Sequence, residues 1–459
     1  MPSQTQQDVR LSFLQYLAEG DSGRQDAYTA YREYYDGDHD TQLTKRLRAF
    51  LQVKIGQEFN DNYCPIVVDA LVERLTVTGF DAGETQGEQV WDWWTQNRMD
   101  GGQGVAHLSA VRDGDAYLIV EWDNEEKRPV FIPELAYDGS EGVKIHYSKE
   151  RRDVVEFASK RWRVESGDDT GKMRRLNLYY PDRIEKYASH DDAFEGAWQP
   201  FEEPGQPWPI PWVGIVPVIH FKNREQGYHY GQSELKDVIP LQNALNKSII
   251  DLLGAADITA FRTYWATGDD PSGLEISPGS WIYSLKPPGE VEFGVFSGED
   301  LAPLIVLKDT FVTEIARVSR TPLSYFQVTG AVSAEGTQKQ QESGLVARAK
   351  NRQVSFGNAW EDAMILARRL WNEFGPGGMD EAQPISCQWQ DPQTRNEKEH
   401  LETLTLKAGL GVPEETLWSE MGYSAEQIAT MAAQRGEERA ASSNFGGELL
   451  REFERGGVE

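Results

Sequence analysis

Cysteine is scarce in this chain. Only Cys64 and Cys387 occur among 459 residues, so far apart that neither a disulfide framework nor a cysteine-based zinc site is expected. Histidine is also rare, and its seven copies (39, 107, 146, 190, 220, 229, 400) form no HExxH motif and no other pair four residues apart. Positive charge is in deficit: 46 Lys+Arg face 74 Asp+Glu, a formal net charge of −28. That excludes a simple basic clamp on nucleic acid, because neutralising phosphates takes clustered Lys and Arg. It favours solubility and penalises non-specific adhesion to polyanions. No run approaches ~18 uninterrupted apolar residues, so no membrane-spanning helix is expected. Met1 to Asp8 is polar and lacks the apolar stretch of a secretory signal. The expectation is a soluble protein made inside the cell, without membrane contact.

What is present suffices for folded cores, with 39% hydrophobic and 11% aromatic residues and a length that suits roughly two to four modules. The first stretch, to about residue 110, reads helical. Apolar stripes run through Leu11, Leu14, Leu17 and Ala18, through Tyr28, Tyr31, Tyr34 and Tyr35, and through Val67, Val68, Leu71, Val72 and Leu75 after Pro65. Trp91 and Trp94, at helical spacing, read as packing groups. From Arg112 to Ser189 the period changes to two. Strands are expected over Ala116–Trp122, Pro129–Leu135, Val143–Tyr147, Val154–Glu165 and Leu176–Tyr187, in a mostly antiparallel β region. Six prolines between 200 and 217 then force an extended connector.

Helical period returns at Gly231, with Ser233 as a candidate cap for a helix carrying Leu235, Val238, Leu245, Ile249 and Leu252. Ile258–Thr267 and Ser280–Tyr283 read as strands. Leu304, Leu307, Phe311, Ile315 and Val318, spaced 3, 4, 4, 3, form a narrow seam suited to packing helix on helix. Glu299 and Asp300 precede it as helix N-terminal charges, and Pro322 closes it. A loop of small residues follows from Val328 to Gly336. The longest helical pattern runs from Thr337 to Phe374, stopped by Gly375-Pro376-Gly377-Gly378. Polar helices fill the remainder, ending in a charged tail. The fold class is α+β.

Catalytic constellations are missing. Gly167-Asp168-Asp169-Thr170-Gly171-Lys172-Met173 is one residue short of a phosphate loop, has Met173 where Ser or Thr would hold Mg²⁺, and reads as a turn. Asp36-Gly37-Asp38-His39-Asp40 alternates carboxylates like a calcium loop but lacks the glycine at the sixth position and has Leu47 at the twelfth. Gly20-Asp21-Ser22-Gly23 is too short for a nucleophile elbow. No catalytic residue, metal or cofactor is expected.

The order of parts is more telling. The stretches Asn62–Leu75, Asp113-Gly114-Asp115-Ala116-Tyr117-Leu118-Ile119-Val120, Pro217-Val218-Ile219-His220-Phe221, Gly231-Gln232-Ser233-Glu234-Leu235 with Asp237–Lys247, Thr321-Pro322-Leu323 and Gln388-Trp389-Gln390-Asp391-Pro392 follow one another over residues 30–425. Together they resemble the portal (head-to-tail connector) proteins of tailed double-stranded DNA bacteriophages.

That resemblance implies a non-enzymatic structural protein of the virion, at a capsid vertex. Its parts would be a wing (1–230), a first stem helix (231–256), a clip (257–298), a second stem helix (299–323), a tunnel loop (324–336), a long wing helix (337–375) and a helical crown (376–459). Copies would form a ring, usually of twelve in that family, around double-stranded DNA. Other partners would be the terminase large subunit, a head-completion or adaptor protein, and the major capsid protein. The channel loop would hold Thr329, Gly330, Ala331, Val332, Ser333, Ala334, Glu335 and Gly336, with Lys308, Arg317, Arg320 and Lys339 as candidate channel cations. Leu245, Ile249, Leu304, Leu307, Phe311, Ile315 and Val318 would pack the stem, within one subunit or between subunits; spacing leaves both open. The competing expectations are an acidic metal-dependent hydrolase or nuclease, and a capsid assembly protein that is not a portal.

Overall fold

The computed structural model describes residues 22–38, 61–83, 86–148, 150–151, 154–164, 173–189, 198–224, 229–260, 264–268, 286–287, 289–295, 300–326, 335–393, 397–423 and 427–436. The Leu11–Ala18 stripe, Asp40, the 165–172 turn, Ser280–Tyr283 and most of the small-residue loop lie outside them. Helices and antiparallel strands mix, as the α+β expectation has it. Two compact units emerge: the first contains Val68–Glu234 and Ala331–Glu459 together with residues up to Arg32, the second Glu33–Val67 and Leu235–Gly330.

In the first unit, helices α3 (Gly87–Gln96) and α4 (Met99–Asp113) lead into strand β2 (Asp115–Asp123). β2 is central in a three-stranded antiparallel sheet, between β3 (Arg128–Leu135) and β10 (Val218–Lys222). Its first six residues are all buried, because α4 and the long helix α7 (Glu335–Phe374) both pack against this strand. That explains why Ala116–Val120 reads as a continuous apolar run and not as an alternation. Trp94, Trp360, Phe221 and Phe356 fill this core with ring centroids 4.8–5.8 Å apart in the edge-on pairs Trp94–Trp360, Phe221–Trp360 and Phe221–Phe356, the geometry aromatic quadrupoles favour. Helix α1 (Ser22–Asp36) ends before Gly37, which takes φ +82°, and α2 (Cys64–Val72) starts with Pro65 in its first turn.

A second sheet runs β4 (Gly142–Tyr147), β5 (Val155–Val164), β6 (Met173–Tyr179), β7 (Arg183–Ser189) and β8 (Gln199–Pro200), with β9 (Ile210–Pro211) also on β7. The expected strand Leu176–Tyr187 is two strands. Tyr180-Pro181-Asp182 breaks it, since proline offers no N–H to a ladder, and the Tyr180 N–H donates to the Arg183 carbonyl at 2.9 Å to close the turn. The proline-rich segment is not the uniformly extended connector expected: it has no helix, as its prolines require, but turns and bends interrupt it, and it supplies only the two short strands β8 and β9. A strand that periodicity did not reveal, β1 (Val77–Asp81), pairs with β13 (Ser386–Trp389) from more than 300 residues away.

In the second unit, α5 (Ile239–Ala260) and α6 (Ala302–Ser319) pack together, and the connection between them carries the antiparallel pair β11 (Tyr264–Thr267) and β12 (Glu292–Val295). α5 is shorter at its start than expected: residues 234–238 form turns, and Ser233 does not cap it. Its hydroxyl donates instead to the Arg112 carbonyl. At its other end α5 continues to Ala260, through part of the strand expected over Ile258–Thr267. Just ahead of α6 the Asp300 carboxylate accepts the Ala302 N–H at 3.0 Å, a favourable place for negative charge at a helix N-terminus. Tyr34 O–H donates to the Asn243 side chain at 2.8 Å, and the Gln242 side-chain Oε1 accepts the Tyr63 N–H at 3.0 Å, tying these neighbours to α5.

Candidate functional site

Two sets of residues matter: the apolar side chains of the α5–α6 pair, and a group of buried acids held by arginine and histidine in the first unit. On α5, Leu245 and Ile249 are buried. On α6, Val312, Ile315, Ala316 and Ser319 are buried. The expected seam therefore divides. Ile315 lies inside, Leu304 and Phe311 are half-buried, and Leu307 and Val318 are 42% and 41% exposed. Ile305 and Val306, which the spacing argument left out, are exposed too, Val306 at 64%. Three consecutive apolar residues, Ile305 to Leu307, are thus exposed, spread round one end of the helix. Their adjacency in sequence was the available signal: on a helix one buried face cannot hold three consecutive side chains.

The candidate cations are scattered. Lys308 lies 3.5 Å from Asp309, Arg317 pairs with Glu314 one turn away, and Arg320 is exposed in the left-handed conformation that ends α6 (φ +52°). The side chain of Lys339 lies outside the described residues. So do Thr329, Gly330, Ala331, Val332, Ser333 and Ala334, whereas Glu335 and Gly336 begin α7.

The second set grows from two backbone stretches that approach closely. Gly114 takes φ +99° and ends α4, and its carbonyl accepts the Asn223 N–H at 2.9 Å. Glu234 N–H donates to the Val111 carbonyl at 3.1 Å. A Cβ on Gly231 would collide with the Gly114 carbonyl oxygen and lie 2.6 Å from that of Asn223, so only glycine fits there.

Three buried acids result. Asp113 accepts from Arg112 at 2.7 Å and from Arg32 at 2.9 Å. Asp115 accepts from Tyr28 O–H at 2.6 Å and Gly231 N–H at 2.7 Å, and His220 Nε2 is 2.7 Å away. His220 Nδ1 lies 2.9 Å from the Tyr147 hydroxyl. Burial would raise the Asp115 carboxyl, but the hydrogen bonds and charge of His220, with those of Tyr28 and Gly231, bring it below its ordinary value.

Glu234 meets three guanidiniums: Arg352 at 2.7 Å, Arg224 at 2.8 Å and Arg348 at 3.0 Å. Burial opposes its charge, and Arg348, Arg352 and Arg224 overcome that and hold the carboxyl at about 2. Arg348 and Arg352 stand four apart on α7 and so share one helix face. These buried acids and arginines face one another, and what the arrangement provides is anchorage of the stretches that carry them. Among the described residues no three His, Cys, Asp or Glu side chains are placed to hold a metal ion. A buried His107 sits nearby, its Nδ1 3.0 Å from the Leu75 carbonyl and its Nε2 accepting the Trp360 indole N–H at 2.9 Å.

The anchored stretches, Asp113–Val120 and Gly231–Leu235, are among those that carry the resemblance to portal proteins, and comparison with known proteins bears on it directly. The chain is 24% identical over 409 residues to the portal protein of Mycobacterium phage D29, covering 84% of this chain and 80% of that protein. It is 23% identical over 412 residues to the portal protein of Mycobacterium phage L5, with the same coverage. The family model for phage portal proteins of the SPP1 Gp6-like type matches residues 14–440. An α+β chain with paired helices, exposed apolar side chains on one of them, and arginine-anchored acids belongs, by this match over nearly its whole length, to the SPP1 Gp6-like phage portal protein family.

Proposed function

We propose that copies of this chain close into a ring of about twelve at one capsid vertex, and that genomic DNA is packaged and ejected through the central channel. The observation that carries this reading is the exposed apolar run Ile305–Leu307 on α6, beside a buried α5–α6 contact. Contiguous exposed apolar side chains mark association surfaces, and a heterologous contact that closes on itself yields a ring. In this reading α5 and α6 are the stem helices, and the segment between them is the clip that docks the terminase large subunit and later a head-completion protein. Residues 1–230 with α7 form the wing, which meets the major capsid protein. Residues 324–336 form the loop that touches DNA, and 376–459 the crown.

A net charge of −28 suits a conduit, since each cation–phosphate contact releases counterions and adds affinity that would retard sliding. Lys308, Arg317, Arg320 and Lys339 would make the few transient phosphate contacts. Negative-stain imaging and native mass spectrometry of the purified chain test the reading. A ring with a hole wide enough for duplex DNA is expected, and a monomer, or a particle solid at its centre, would refute it.

A further inference from the structure

Beyond α7 and β13 the chain forms two short helices, α8 (Glu397–Gly409) and α9 (Glu414–Glu420), which pack together. Leu404 on α8 and Leu417 on α9 are buried. Leu406 and Leu410 are not: at 71% and 85% they are the two most exposed large apolar side chains among the described residues. Leu410 follows α8 directly, and its N–H still donates to the Leu406 and Lys407 carbonyls, both at 3.1 Å. Helical geometry therefore reaches it, and the two leucines, four apart, share one side. Adjacent apolar side chains left in water mark a contact surface.

The corner beside them is tied to the chain that follows. A helix over 427–436 comes after α9, and near its end Arg435 meets Glu414, the first residue of α9, at 2.8 Å. Glu414 lies just past Leu410, across a turn in which Val412 N–H donates to the Lys407 carbonyl at 3.2 Å. The chain beyond 436 thus departs from the corner that bears the exposed leucines.

In that continuation Leu449, Leu450 and Phe453 gather between the pairs Gly446-Gly447 and Gly456-Gly457. Read at helical period, the three share one side, with Arg451 and Arg455 opposite. Residues 437–448 reach up to about 40 Å when extended, against about 20 Å for the whole of α8. The segment can therefore return to the leucines.

We infer that residues 448–455 dock, through Leu449, Leu450 and Phe453, onto Leu406 and Leu410 of the same chain. Two leucines are too small a patch to hold a second copy, since a stable interface buries roughly 800 Å² per partner. A segment carried on the same chain needs far less, because the tether makes its binding intramolecular.

Hydrogen–deuterium exchange of the full-length protein, read by mass spectrometry, tests the inference. Residues 401–410 should exchange roughly tenfold or more faster in Leu449→Ser/Phe453→Ser, because docking stabilises α8 against local opening. Deletion of residues 437–459 should have the same effect. Leu449→Met/Phe453→Leu, which keeps the side apolar, should hold the wild-type rate. Exchange in β2 should be unchanged throughout, which separates lost docking from lost folding. Wild-type exchange over 401–410 as fast as that of the serine variant would overturn the inference, and so would equal acceleration by Arg451→Ala. Slow exchange that survives the serine variant but disappears on dilution would mean that a second copy covers the leucines, and would overturn it likewise. The expected result holds for monomer and ring alike.

Discussion

Replacing Glu234 by Gln keeps the shape of the side chain and removes its charge. Glu234 is 1% exposed, and Arg348 and Arg352 are 7% and 5% exposed. The substitution therefore leaves cations facing one another out of water. Removing one partner of a buried ion pair costs roughly 3–5 kcal/mol. Acid provides an independent measure of the same interaction. The carboxyl drops from its ordinary 4.5 to about 2, a difference of about 2.5 units, which corresponds to about 3 kcal/mol.

Because the folded value lies below the unfolded one, this stability is complete above about pH 4.5 and is lost as the pH falls toward 2. His107 also loses stability in acid, since burial lowers it to about 3 despite its bond to the Leu75 carbonyl. It does so equally in both proteins and cancels in their difference. Urea titrations followed by tryptophan fluorescence between pH 7 and pH 3 should show the variant weaker by about 3–5 kcal/mol at neutral pH, with the gap narrowing below pH 4.5. Adding Arg348→Gln to the variant should recover part of the loss, as expected of residues in one network. A neutral-pH gap under about 1 kcal/mol, or one that ignores pH, would refute the reasoning.

Three further outcomes follow from the geometry. Val306→Asp should leave the melting temperature of the monomer nearly unchanged, because the position is 64% exposed, yet native mass should show no ring; Phe311→Asp should also abolish the ring, by burying a charge. Intact rings in both variants would remove α6 from the interface. Deleting residues 330–336 should preserve rings but lower DNA packaging or retention in a packaging assay. Gly231→Ala should destabilise the fold by at least about 1–3 kcal/mol, read as a lower melting temperature, because its Cβ meets backbone carbonyls that have no room to yield.

How far the chain can be read without its structure depends on the range of the interaction that decides each element. α1, α3, α6 and α7, and the strands from β2 to β5, announce themselves through local period, through prolines and glycines at their ends, and through acids just ahead of a helix such as Asp300. β1 and β13 do not, because each is four or five residues long and acquires its identity only from a partner 300 residues away. Ser233 reads as a helix cap because hydroxyls generally cap helices, but the Arg112 carbonyl brought beside it by folding is the acceptor it uses. The seam on α6 reads as one stripe in sequence, and in the fold it separates into buried Ile315 and exposed Leu307 and Val318, since the packing of α5 covers part of the helix and not all of it.

Sequence alone determined the α+β class, the family, and the excess of negative charge, because composition, periodicity and the order of motifs are properties of the chain and not of its folding. Tertiary structure alone decided which charges meet. Glu234 precedes Arg348 and Arg352 by more than a hundred residues, as Asp115 precedes His220. Nothing in local pattern encodes a contact that exists only once Gly114 and Gly231 let two backbones cross within hydrogen-bonding distance.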